Sequence, residues 1–172
     1  RAAQLSSALN YVLNRSNSSS SAISGMVDGS RLGAMGWSMG GGASLKLATD
    51  RVLKAIIPQA PFYGGSNNFD TITTPALILA CENDGIAPVS GHASPFYNVL
   101  PGTTDKAFLE INGGNHYCAN SGNSNADILG KYGVAWMKRY IDDDLRYDQF
   151  LCGPNHVAQA GGVISEYREN CN

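Results

Sequence analysis

Residues 33–42 read GAMGWSMGGG, a single serine, Ser38, among five glycines. Glycine gives up order wherever it is used, so such a cluster marks a backbone shape that other residues forbid. On one side, Arg31 to Trp37 is short and apolar enough for a buried strand; on the other, Gly41 to Asp50 reads as a helix. A bare Gly-x-Ser-x-Gly arises often by chance. Set between strand and helix, it is the nucleophile elbow, a sharp turn that lifts a serine hydroxyl clear of a sheet. Small residues at Gly36 and Gly40 are expected to let the strand and helix approach closely, and the helix amino end favours developing negative charge.

Outward from that turn, strands and helices alternate. Ala55 to Ile57 reads as a second strand, ended by Pro58 and Pro61. Pro75 to Ala80 (PALILA) is a continuous apolar run, as in a strand covered on both faces. Part of Gly91 to Leu100 reads as helical, and Lys106 to Ile111 (KAFLEI) alternates like a strand. Ala126 to Ile141 carries an apolar helical stripe of Ile128, Leu129, Tyr132, Ala135, Trp136 and Tyr140. A first helix over Arg1 to Arg15 presents Ala2, Leu5, Ala8, Leu9, Val12 and Leu13, followed by a Ser/Gly-rich connector. The pattern predicts an α/β fold with a mostly parallel central sheet, in one domain spanning residues 1–172. In such sheets chemistry sits in the loops beyond the strand carboxyl ends.

The chain has 172 residues, 43% hydrophobic and 15% charged, with a formal net charge of −2. That balance gives no electrostatic footprint for nucleic acid or a membrane surface, and no apolar run approaches the roughly 18 residues a spanning helix needs. Four cysteines, Cys81, Cys118, Cys152 and Cys171, form no Cys-x-x-Cys pair, which argues for two disulfides and a secreted protein over zinc or redox chemistry. Three pairings are open on count alone.

A nucleophilic serine needs a base, and the base needs an orienting carboxylate. On this elbow the chain order is Ser, then Asp or Glu, then His. His116 lies in the loop after KAFLEI, at a strand carboxyl end. His156 reads as a surface residue in the tail, and His92 precedes a predicted helix. Asp84 follows PALILA directly; Glu82 is its nearest rival, expected to be fixed elsewhere, and Asp142, Asp143 and Asp144 read as solvated charge. Cys81 and Cys118 flank the acid and the base, which favours pairing them and leaves Cys152 with Cys171 to pin the tail.

The segments GWSMGGG, CENDGIAPV, INGGNHYCANSGNSN and GVAWMKRYIDDD resemble the bacterial cutinase-like polyester hydrolases, including the poly(ethylene terephthalate) hydrolases, through essentially the whole chain. The resemblance implies an α/β-hydrolase fold whose amino-terminal strands are missing here, along with one oxyanion donor. It implies Ser38 as nucleophile, Asp84 as orienting acid, His116 as base and the Met39 amide as the other oxyanion donor. Trp37, Phe62, Ile86, His92, Tyr117 and Asn120 match positions lining the family's cleft, with Phe62 where Trp is usual. It further implies an extracellular, monomeric esterase acting on a polyester or small ester without metal or organic cofactor. A lipase or serine peptidase on the same elbow, or a non-catalytic hydrolase-fold binding module, are the competing expectations.

Overall fold

The computed structural model describes residues 1–120, 122 and 124–170. Its sheet has five strands in chain order: β1 (Gly33–Trp37), β2 (Ala55–Gln59), β3 (Ala76–Cys81), β4 (Lys106–Ile111) and β5 (Ile164–Asn170). The first four run parallel and β5 returns antiparallel to β4. The helices are α1 (Ala2–Ser16), α2 (Met39–Asp50), α3 (Ala93–Val99), α4 (Ala126–Ile141) and α5 (Asn155–Ala158), with a 3-10 turn at Leu145–Phe150. This is the α/β architecture the sequence predicts. No helix among the described residues is long and apolar enough to cross a membrane.

Alternation along the strands divides the core into two. Ile56, Ala76, Ile78, Ala80 and Phe108 face one side, where α2, α3, Phe69 and Ile72 cover them. Ala55, Ile57, Leu77, Leu79, Leu109 and Ile111 face the other, against Leu129, Tyr132, Ala135 and Trp136 of α4. All six residues of β3 are buried, as its unbroken apolar run requires. Each fully buried Leu or Ile there contributes about 1.5–3 kcal/mol. α1 packs on α2 through Leu5 and Leu9, but Ala8 and Val12 of its predicted stripe are exposed.

Two expectations need correction, and one strand has no counterpart in the sequence reading. Pro58 does not end β2; it lies inside it, opposite Gly36 of β1. Its missing N–H leaves β2 paired to β3 at Ile56–Ala76 and Gln59–Leu79, on either side of the proline. β5 went unpredicted because ISEYREN is polar and half-exposed, a sheet-edge strand with little apolar signal. His156 is not a surface residue. The returning tail puts it under α4, 1% exposed, with Nδ1 2.8 Å from the Tyr132 hydroxyl and its ring 4.7 Å from that of Tyr167.

Candidate active site

Parallel strands deliver three loops to one end of the sheet: the turn after β1, the loop after β3 and the loop after β4. The turn after β1 is as sharp as the glycines suggest. Ser38 has φ 55° and ψ −121°, a positive φ that costs a non-glycine residue on the order of 1–3 kcal/mol. A Cβ on Gly36 would lie 2.5 Å from the backbone of Gly40, and one on Gly42 2.1 Å from the Phe62 carbonyl oxygen. Neither could be tolerated. A Cβ on Gly40 would meet nothing within 4 Å, whereas one on Gly41 would lie 2.9 Å from the Gly36 carbonyl oxygen, so the close approach of β1 and α2 needs glycine at 36 and 41 and not at 40.

The hydroxyl held there meets the other two loops. Ser38 Oγ lies 3.0 Å from His116 Nε2, and His116 Nδ1 lies 2.7 Å from Asp84 Oδ2. His116 is 3% exposed and Asp84 5%. The amides of Ile86 and Ala87 donate to Asp84 Oδ1 at 2.9 and 2.7 Å, which fixes the carboxylate and leaves Oδ2 for the imidazole. A carboxylate only accepts, so Nδ1 carries the proton and Nε2 is free to accept from the serine. The arrangement can remove a proton from Ser38 and stabilise the imidazolium that results.

The acid and base loops are stitched together. Cys81 and Cys118 form a disulfide, the Asn83 amide donates to the Gly114 carbonyl at 2.7 Å, and the Gly113 amide donates to Glu82 Oε2 at 2.6 Å. Glu82, the rival acid, is thus occupied by the base loop. Cys152 is also disulfide-bonded; its expected partner, Cys171, lies outside the described residues. Asp144 is less solvated than expected, capping the 3-10 turn and pairing with Arg146.

The residues expected to line the cleft fall into two groups. Trp37 sits against the base, its ring 5.0 Å from His116 and 5.4 Å from Tyr117. Its indole Nε1 donates to the His116 carbonyl at 2.9 Å, a contact that the adjacency of Trp37 to Ser38 hints at but sequence does not specify. Phe62, whose amide donates to the Ser38 carbonyl, stacks on His92 at 4.8 Å. Met39, Ile86 and Tyr117 are all more than half exposed, an apolar surface around the serine. Met39 opens α2, so its amide has no intrahelical acceptor. Asn120 closes the base loop, its amide bonded to the Tyr117 carbonyl. A pocket of about 190 Å³ between the start of α1 and α2 is lined by Arg1, Ala2, Met39, Ala43, Phe62 and Tyr63, and Ser38 does not line it. A larger groove of about 500 Å³ lies between Met35 of β1 and α4, and none of Ser38, Asp84 and His116 lines it.

Comparison with known proteins gives one consistent answer. The PET hydrolase-like family profile matches residues 1–172. The chain is 47% identical to Cutinase 1 of Thermobifida cellulosilytica and 47% identical to a cutinase of Thermobifida fusca strain YX. It is 42% identical to a bis(hydroxyethyl) terephthalate hydrolase of Streptomyces coelicolor. Each match takes in 99% of the chain, which spans 63%, 54% and 52% of those relatives' lengths respectively.

Proposed function

The chain belongs to the PET hydrolase-like family, and from that premise we propose that it is a serine ester hydrolase acting on polyester or cutin-like bonds through an acyl-enzyme. One observation carries the proposal: the unbroken hydrogen-bonded line from Ser38 Oγ through His116 to Asp84. His116 Nε2 takes the hydroxyl proton as Ser38 attacks the ester carbonyl, and Asp84 stabilises the imidazolium. The Met39 amide donates to the oxyanion; losing one such donor costs about 2.7–4 kcal/mol. The alcohol leaves with the proton from His116, and water repeats the cycle on the acyl-enzyme.

The open setting of Met39, Ile86 and Tyr117 supports a substrate that reaches the serine as an extended chain or a small ester. The Cys81–Cys118 disulfide supports an oxidising, extracellular compartment. The test is labelling with a fluorophosphonate and hydrolysis of bis(hydroxyethyl) terephthalate, beside Ser38→Ala. One adduct and ester turnover in the wild type, with neither in the variant, is expected. Turnover that survives Ser38→Ala would end the proposal.

A further inference from the structure

Asn112–Gly113 is the chain's single Asn-Gly pair, and it sits at the head of the base loop, both residues exposed. Asparagine before glycine is the pair most prone to spontaneous deamidation, because no Cβ hinders attack by the next amide nitrogen. Here that nitrogen is engaged: Gly113 N donates to Glu82 Oε2 at 2.6 Å. The Asn112 carboxamide is held too, its Nδ2 donating to the Gly162 carbonyl at 3.0 Å, and the Asn112 amide donates to Val163. Gly113 takes φ +64°, the left-handed conformation that glycine adopts freely.

We propose that Asn112–Gly113 is a covalent modification site whose rate is set by Glu82. In the reaction the Gly113 amide proton is lost and the nitrogen forms a bond to Asn112 Cγ. The Cγ–Nδ2 bond breaks, and ammonia leaves with that proton. Water then opens the cyclic imide at either carbonyl, giving aspartate or isoaspartate, about one dalton heavier than the starting asparagine residue. A carboxylate pressed on the Gly113 N–H opposes this in two ways: it occupies the donor, and its charge disfavours the amide anion that must attack. Isoaspartate routes the backbone through an extra methylene just before His116. On the hydrolase reading above, that shifts the base away from Ser38.

The experiment holds wild type, Glu82→Ala and Glu82→Gln in mildly alkaline buffer and follows the peptide containing residue 112 by mass and by isoaspartate methylation. Glu82→Ala is expected to convert about tenfold faster than wild type, as for loss of one hydrogen bond to a charged acceptor. Glu82→Gln, whose Oε1 still accepts, is expected within about threefold of wild type. Equal rates in wild type and Glu82→Ala would overturn the proposal, as would Glu82→Gln converting as fast as Glu82→Ala. An unfolded Glu82→Ala would also convert quickly, so amide exchange at Gly113 is read in the wild type. Slow exchange is expected, and exchange at the rate of a free surface amide would overturn the proposal. Mass and exchange are read without any ester, so failure here and failure of the hydrolase reading stay distinguishable.

Discussion

Two histidines are almost wholly buried in this protein, and they are built differently. His116, 3% exposed, has a partner on each ring nitrogen: Asp84 on Nδ1 and Ser38 on Nε2. His156, 1% exposed, has the Tyr132 hydroxyl on Nδ1 and a buried Nε2 with no hydrogen-bond partner among the described residues. Burial holds the His156 pKa below its ordinary value of 6.5, and burial pushes Tyr132 up to about 12, so both stay neutral at ordinary pH. On the hydrolase reading one site receives a proton, while burial disfavours the charged form of the other. Burial alone does not make a base; a fixed carboxylate behind the ring does.

The largest test of this contrast is Asp84→Asn, which should leave the fold intact and lower kcat for ester hydrolysis by about 10⁴. Steady-state kinetics beside a thermal melt separates the two effects, and a kcat near wild type would erase the distinction. Next in size is the double change Cys81→Ser with Cys118→Ser. It opens a 37-residue loop and should cost about 2–4 kcal/mol in urea unfolding, with kcat falling more than KM changes because the acid and base loops loosen together.

Smaller still, Tyr132→Phe removes the Tyr132–His156 hydrogen bond and should cost about 1–3 kcal/mol of stability while ester hydrolysis at saturating substrate stays unchanged. A matching loss of activity would mean that the two histidines are coupled. The smallest effect is a pH slope. The folded pKa of His156 is depressed, so the unfolded chain binds the extra proton first. Its stabilising contribution is complete above 6.5 and is lost as pH falls from there through the folded value, no more steeply than about 1.4 kcal/mol per pH unit. His156→Gln should flatten that slope in urea titrations across the acid range.

The proposed catalytic constellation was legible because each member sits in the loop after an apolar strand, and parallel strands bring such loops to one end of a sheet. Ser38, Asp84 and His116 could therefore be placed from sequence alone. His156 could not, since what buries it is a partner from another element: Tyr167 lies on β5, whose polar sequence ISEYREN carries no strand signal. Pro58 misled for a related reason, because sequence does not say which strand face will lack its donor. Of the two glycines expected to allow the close approach, Gly36 does so and Gly40 does not need to be glycine. An added Cβ on Gly36 or Gly41 would strike neighbouring backbone, and one on Gly40 would meet nothing. Gly40→Ala should accordingly be accepted, with a gain of about 0.5–1 kcal/mol from helix propensity, where Gly36→Ala should not fold well.

The strands stand side by side in the order in which they are synthesised, β1 first. Ser38 therefore leaves the ribosome 78 residues ahead of His116. At roughly 5–20 residues per second that lead lasts about 4–16 s, during which the serine exists without its base. Attack on an ester must wait for the β4 loop, so on this reading the nascent chain stays chemically silent until that loop has been made.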